Sequence, residues 1–196
     1  MARALTTGVA GESILLSVFL LSVSVITEPV VSLESPMLFL LCFVLALVIA
    51  AVRVYLDKQP RTKGRVVETF LLWLLVICVG VASVLTFVAD AFFADRMAAS
   101  LGWPAGNPFQ SLVAVANLSV GVLGILCYWI RGSFWVATVI GFSIWWLGAG
   151  AVHIKDIVVS ANYAPNNAGA TPYMDILVPI VLMALLTYYK RAGRGE

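Results

Sequence analysis

The sequence predicts an all-α protein, a polytopic bundle of six transmembrane helices. Of its 196 residues, 62% are hydrophobic and only 11% are charged, whereas soluble domains carry about 25% charged residues. The apolar residues also occur in uninterrupted runs, and about 20 such residues suffice for a helix to cross a hydrocarbon core of about 30 Å. More apolar surface is present than a core of this size could bury, so the surplus is expected to face lipid.

Six apolar segments are candidates for these helices. The predicted spans are residues 11–27, 36–54, 66–90, 109–130, 133–157 and 172–189. The first run is the shortest, and Arg3 before it also fits a signal peptide. Because no small-residue cleavage motif follows, we interpret it as a retained span. Ser35-Pro36 and Thr171-Pro172 are typical of helix starts, with a hydroxyl at the cap and proline at the first helical position.

The basic residues predict the orientation, because cytoplasmic loops are enriched in Lys and Arg. With both termini in the cytoplasm, all of the 12 basic residues except Arg96 and Lys155 lie on the inner side. This indicates a multi-pass protein of the inner (cytoplasmic) membrane. The predicted organisation is an N-terminal helix pair (1–56), a basic cytoplasmic loop (57–65), a four-helix core (66–190) with outer loops at 90–108 and 153–172, and a cytoplasmic tail (191–196).

The side-chain inventory excludes several classes of function. His153 is the single histidine and the three cysteines lie in apolar runs without a Cys-x-x-Cys motif, so a bis-His haem within one chain and a His-rich zinc site are excluded. The basic residues are scattered between helices, which gives no nucleic-acid-binding surface. We predict no metal and no cofactor, and leave a bound lipid or quinone open.

Two patterns predict specific contacts. Small residues recur on one face of the fourth helix at Ala114, Asn117, Gly121 and Gly124, and glycines thin the fifth helix. Small residues allow helix backbones to approach closely in membranes, so we expect the fourth and fifth helices to pack together. Glu68 follows Arg65 by three residues, which predicts an ion pair within the third helix.

Polar residues away from the cytoplasmic face collect at the outer end. His153, with Asp156 three residues later, is either a proton relay or ligand contact facing the bundle, or an interfacial histidine bonded to a loop carbonyl. Asp175 precedes Pro179, whose missing N–H favours a kink that opens a polar pocket; alternatively Asp175 complements the positive helix start. Asn117 either bridges two helices or lines a cavity. The predicted ligand or partner site comprises His153, Asp156, Asp90, Asn117, Asp175, Asn162, Asn166, Asn167, Gln110 and Trp103.

Several motifs resemble those of known membrane proteins. The run GWPAGNPFQ at 102–110 is followed by ANL at 116–118, FWVAT at 134–138, GAGAVHI at 148–154, NYAPNNAG at 162–169 and DIL at 175–177. Over residues 68–189 the chain resembles a family of small uncharacterised prokaryotic membrane proteins with a G-W-P-x-G-x-P-F-Q motif. It is more distantly similar to DoxX-like proteins, four-helix membrane proteins of which some are associated with quinone-linked sulfur oxidation or thiol and peroxide defence. The resemblance implies a four-helix core with an added N-terminal pair, and transfers no reaction.

These observations favour an accessory or scaffold subunit, of a quinone or thiol redox complex, whose outer loops dock a partner or cap a lipid-soluble ligand. The alternative is a small transporter or channel that uses Asp90, Asn117, His153 and Asp175. An enzyme ranks last, because no nucleophile–base pair and no metal triad can be identified. The expected partners are the lipid bilayer and a membrane-complex partner, with a homo-oligomer left open.

Overall fold

The computed structural model describes residues 35–192, with side chains from Met37 onward. The predicted first span (11–27), the rest of the N-terminal segment and residues 193–196 lie outside the described residues. Within 35–192 the regular structure is entirely helical. The helices are α1 (Ser35–Leu56), α2 (Lys63–Phe92), α3 (Ala94–Ser100), α4 (Phe109–Leu126), α5 (Ser133–Ser160), α6 (Pro165–Ala168) and α7 (Thr171–Ala192).

Five of these helices (α1, α2, α4, α5 and α7) are long and apolar enough to cross a membrane, as expected of an integral, multi-pass membrane protein. They match the second to sixth predicted spans. The predicted outer loops are more helical than expected. Asp90 lies inside α2, and α5 continues past His153 to Ser160, where Ala161 ends it in a left-handed conformation with φ 50°.

The helices pack in a different order from the one predicted. α2 packs along α4, α5 packs along α7, and α1 lies against α2, whereas α4 and α5 make few contacts with each other. The expectation that the small face of α4 meets α5 is therefore wrong. That face contacts α2, because α2 contains a π-helical segment, Leu74–Val81, which presents Gly80 to α4.

The contact between α2 and α4 is made backbone to backbone. A Cβ atom placed on Gly124 would lie 2.5 Å from the Gly80 nitrogen and 2.8 Å from the Leu75 carbonyl oxygen. A Cβ atom on Gly121 would lie 3.0 Å from the nitrogen of Val84. No side chain larger than hydrogen fits at Gly124 without moving one helix, and such close approach stabilises helix pairs in lipid.

One end of the bundle, which we call the basic end, gathers the connection 57–62, Arg131 and the C-terminus of α7. Glu68 accepts a hydrogen bond from Arg131 at 2.6 Å, and Arg65 pairs with Asp57 at 2.9 Å. The predicted Arg65–Glu68 pair is therefore wrong, because each side chain finds a partner from another segment. The backbone N–H of Gln59 first, and then the side chain of Arg65, hold the pKa of Asp57 below its usual value.

The half of the bundle next to the basic end is filled by apolar side chains. Those exposed by 1% or less include Leu71, Leu74, Leu75, Val79, Val139, Phe142 and Leu182. Trp135 is also fully buried, and its Nε1 donates to the Cys127 carbonyl oxygen at 2.9 Å. The interior of this half of the bundle is thus close-packed, and clefts of about 440, 690 and 360 Å³ lie among the charged side chains at the basic end itself.

Candidate functional site

A cavity of about 480 Å³ lies in the half of the bundle opposite the basic end. α5 begins beside Arg131 and reaches His153, a cavity residue, after 20 residues or about 30 Å. All five long helices contribute lining residues. The aromatic ones are Phe39, Trp103, Phe109, Trp145 and Trp146, and the polar ones are Thr86, Asp90, Gln110, Asn117, His153, Asn166, Thr171 and Asp175. The cavity therefore joins apolar walls to a set of buried polar groups.

A hydrogen-bonded chain crosses one wall. Asn117 donates from Nδ2 to the Asp90 carboxylate at 3.0 Å, and its Oδ1 accepts from Trp145 Nε1 at 3.2 Å. Asn117 thus links α4 to both α2 and α5, and also lines the cavity, so it fulfils both of the roles considered from the sequence. Asp90 is only 4% exposed and has no cationic partner among the described residues.

His153 is held in one orientation by an amide. Its Nδ1 lies 2.8 Å from Asn167 Oδ1, while Asn167 Nδ2 donates to the Asn162 carbonyl oxygen at 2.8 Å. Since the oxygen of Asn167 faces the ring, Nδ1 must donate. The other nitrogen, Nε2, then points at Asp175 Oδ2 across 3.8 Å, which is too long for a direct hydrogen bond.

The indole ring of Trp103 stacks parallel to the imidazole ring of His153. The two rings are parallel to within 12°, with centroids 6.1 Å apart. Trp103 is itself fixed, because its Nε1 donates to Asp156 at 2.9 Å. Asp156 also accepts from Asn162 Nδ2 at 2.7 Å, and that nitrogen donates to the Leu101 carbonyl oxygen as well. Asp156 therefore braces the connection between α3 and α4 and does not pair with His153.

Three buried oxygen atoms at the cavity have no hydrogen-bond partner among the described residues. They are Asp175 Oδ2, Asn166 Oδ1 and Thr171 Oγ1. Asp175 and Asn166 are 6% and 5% exposed, and Asn166 uses its Nδ2 to donate to Ser100 Oγ at 3.0 Å. Unpaired buried oxygens are costly, so the cavity is suited to a molecule that brings donors.

The structure divides the predicted site residues into two groups. Asp90, Gln110, Trp103, Asn117, His153, Asn166 and Asp175 line the cavity, whereas Asp156, Asn162 and Asn167 stand behind it and fix its walls. Sequence reasoning missed Thr171, Trp145 and Gly148. The adjacent Trp145-Trp146 pair in mid-helix was the signal available for the aromatic wall. Between 35 and 192, no group of three or more His, Cys, Asp or Glu side chains could hold a metal ion.

Comparison with protein families matches residues 36–195 to a family of unknown function. The chain belongs to this family, DUF6790. The DUF6790 match includes α1, so the shared region is larger than residues 68–189, over which the motif resemblance had been found. The family carries no assigned activity, and comparisons with curated proteins and with solved structures gave no match.

Proposed function

We propose that this DUF6790 protein binds a small amphipathic ligand taken from the lipid phase, and acts as an accessory subunit of a membrane complex. The observation that carries the proposal is the cavity of about 480 Å³, which combines aromatic walls with unpaired buried oxygens. Small-molecule sites in proteins have this character: mostly apolar, with a few convergent polar groups. An amphipathic lipid has the matching form, an apolar body with a polar head.

The entrance to the cavity supports uptake from the bilayer. Cavity residues on α4 and α5 include Phe109 and Ile144, which are 43% and 70% exposed at the surface of the bundle. α4 and α5 make few contacts with each other, and together with these exposed lining residues this supports an entrance between the two helices. A ligand entering sideways would keep its apolar body near the membrane while its head reaches His153 and Asp175.

The close-packed half of the bundle favours binding over conduction. A channel needs a continuous polar path, and most buried side chains between the cavity and the basic end are apolar, as Leu75, Val139 and Leu182 illustrate. The buried polar ones, Ser83, Thr138 and Ser143, are small and separated by these apolar side chains. We place the basic end in the cytoplasm, following the enrichment of Lys and Arg in cytoplasmic loops. The cavity then faces the outer leaflet. The DoxX-like resemblance is the ground for assigning the partner to a quinone or thiol redox complex.

Native mass spectrometry on protein extracted gently from its own membranes tests this proposal. The unmodified chain is expected to carry a bound small molecule and a stoichiometric partner subunit. Gly148→Leu is expected to lose the small molecule, because Gly148 lines the cavity and a side chain there would project into open space. Gly141→Leu is the matched control, two turns earlier on α5, exposed, with no atom within 4 Å of the place a Cβ would occupy and no part in the cavity.

Retention of the same molecule by Gly148→Leu would show that it does not occupy this cavity. A bare homo-oligomer without ligand or partner would refute the accessory role.

A second candidate function is transport, favoured by the convergence of Asp90, Asn117, His153 and Asp175 on one cavity. Transport requires a second conformation that opens the close-packed half. Pro179 in α7 and the π segment of α2 are irregularities at which helices bend. Uptake and efflux that are unchanged in His153→Ala and in Asp175→Asn would exclude this candidate, whereas loss of flux with retained ligand binding would favour it.

A further inference from the structure

We infer that the ligand of this cavity carries a protonated primary amine on an apolar body. The inference rests on the proposed function, since it names the chemical class of the molecule that the cavity binds. It follows from the charges that line the cavity, from the hydrogen-bond acceptors left without partners, and from the aromatic side chains around them.

The first argument is electrostatic. Asp90 and Asp175 line the cavity, and no Lys or Arg is among its described lining residues. Asp90 has an amide as its hydrogen-bond donor, and the positive side chain facing Asp175 is at most a protonated His153 at 3.8 Å. The start of α7 offsets about half a charge at Asp175. With Asp90 and Asp175 ionised, the cavity has a negative excess in either state of His153, and a buried charge without a partner is costly in a membrane.

The second argument is the number and type of free hydrogen-bonding atoms. Asn166 Oδ1 is an acceptor, and Asp175 Oδ2 is an acceptor without a proton to donate when the carboxylate is ionised. The hydroxyl of Thr171 can accept as well. An ammonium group offers three N–H donors and no acceptor. It therefore matches the unpaired oxygens in number and type, with three donors for three acceptors. A quinone or ester head offers only acceptors, so it could pair with the Thr171 hydroxyl but not with Asn166 Oδ1 or an ionised Asp175 Oδ2.

The third argument concerns the rest of the ligand. Trp103 and Phe109 meet edge to face at 5.8 Å, and Phe39 and Trp146 meet at 4.2 Å, so aromatic rings stand at two sides of the cavity. Aromatic faces attract cations, more strongly when water is excluded. The same rings bury an apolar body, and the opening between α4 and α5 leaves room for that body to extend toward lipid.

The test compares three ligands with the same phenylbutyl body on the protein in phosphatidylcholine nanodiscs. They are phenylbutylamine, the neutral alcohol phenylbutanol, and the trimethylammonium derivative, which keeps the charge but has no N–H. Affinities are measured by isothermal titration calorimetry near pH 7, where an alkylamine is protonated, with empty nanodiscs subtracted. The amine is expected to bind about tenfold or more tightly than the alcohol, as hydrogen bonds to charged groups predict, and more tightly than the trimethylammonium compound.

Variants locate the effect. Asp175→Asn is expected to lower the affinity for the amine to that for the alcohol and to leave the affinity for the alcohol unchanged. Gly148→Leu is expected to lower the affinity for all three ligands, and Gly141→Leu for none of them.

Equal or tighter binding of the alcohol would overturn the amine inference while leaving the proposed function in place. Equal binding of the trimethylammonium compound would overturn the role of the N–H donors. No binding of any ligand, by a protein that still releases a neutral lipid or quinone in native mass spectrometry, would overturn the inference alone. No binding and no native ligand would refute the proposed function as well. If Asp175→Asn does not fold, the comparison of the three ligands on the unmodified protein still tests the amine inference.

Discussion

Replacing Gly124 by alanine tests the contact between α2 and α4. The added Cβ would lie 2.5 Å from the Gly80 nitrogen, about 0.9 Å inside the 3.4 Å at which ordinary contact begins. The crowding atoms are backbone, so a side chain cannot rotate away and a helix must move. Overpacking costs about 1–3 kcal/mol, and the rigid neighbours place this case near the upper value. The better helix propensity of alanine returns about 1 kcal/mol, which leaves a net loss of about 2 kcal/mol.

The assay is reversible unfolding in mixed micelles, by titration with sodium dodecyl sulfate and far-ultraviolet circular dichroism. Gly141→Ala is the control, because its Cβ would meet no atom within 4 Å. That variant is expected to be unchanged or to gain up to about 1 kcal/mol. If Gly124→Ala and Gly141→Ala unfold at the same denaturant fraction, the backbone contact does not limit the approach of the helices and the reasoning is wrong.

Two further predictions concern polar contacts. Asn117→Leu leaves the Asp90 acceptor without its donor, so the free energy of unfolding is expected to fall by about 1–3 kcal/mol in the same assay. The double variant with Asp90→Leu should recover part of this loss. Strict additivity of the losses from the two single variants would contradict this account. At the basic end, the pKa of Asp57 is lower in the folded protein than its unfolded value of about 3.9. The hydrogen bonds from Gln59 and Arg65 to Asp57 are therefore fully formed above about pH 3.9, and they are lost only as the pH falls through the lower folded pKa. Amide exchange at Gln59, corrected for intrinsic rates, should stay constant from about pH 7 to pH 5, and an acceleration within that range would be evidence against the pairing.

The helices could be predicted because their limits depend on local sequence. An apolar run of sufficient length makes a membrane helix wherever its neighbours lie, and α4 begins at Phe109 and α5 at Ser133, as the sequence predicted. Which helices contact each other depends on residues that are far apart in the sequence. The small face around Gly124 indicated a close contact, but its partner Gly80 is presented by a π segment that the hydrophobic pattern does not reveal.

The site was predictable in its residue types and less so in its pairings. His153 and Asp175 were singled out as rare polar groups in apolar helices, and the structure places them 3.8 Å apart. The role of Asp156 could not be predicted from its spacing to His153. Its partner Trp103 lies 53 residues away in the chain, and only the folded arrangement of the connections shows that the carboxylate holds the indole in place.

The π segment of α2 also bears on how the length of this chain can vary between relatives. A π-helix bonds residue i to i+5, so it absorbs an extra residue without ending the helix. Because the extra residue is accommodated locally, removing one residue from Leu74–Val81 would restore a regular α-helix and largely preserve the rotational register of the residues on either side. Glu68 and Asp90 lie on opposite sides of the segment, and both now reach partners outside α2, in Arg131 and Asn117. A relative shorter by one residue here could keep both pairings, but it would lose the widened turn that presents Gly80 to α4.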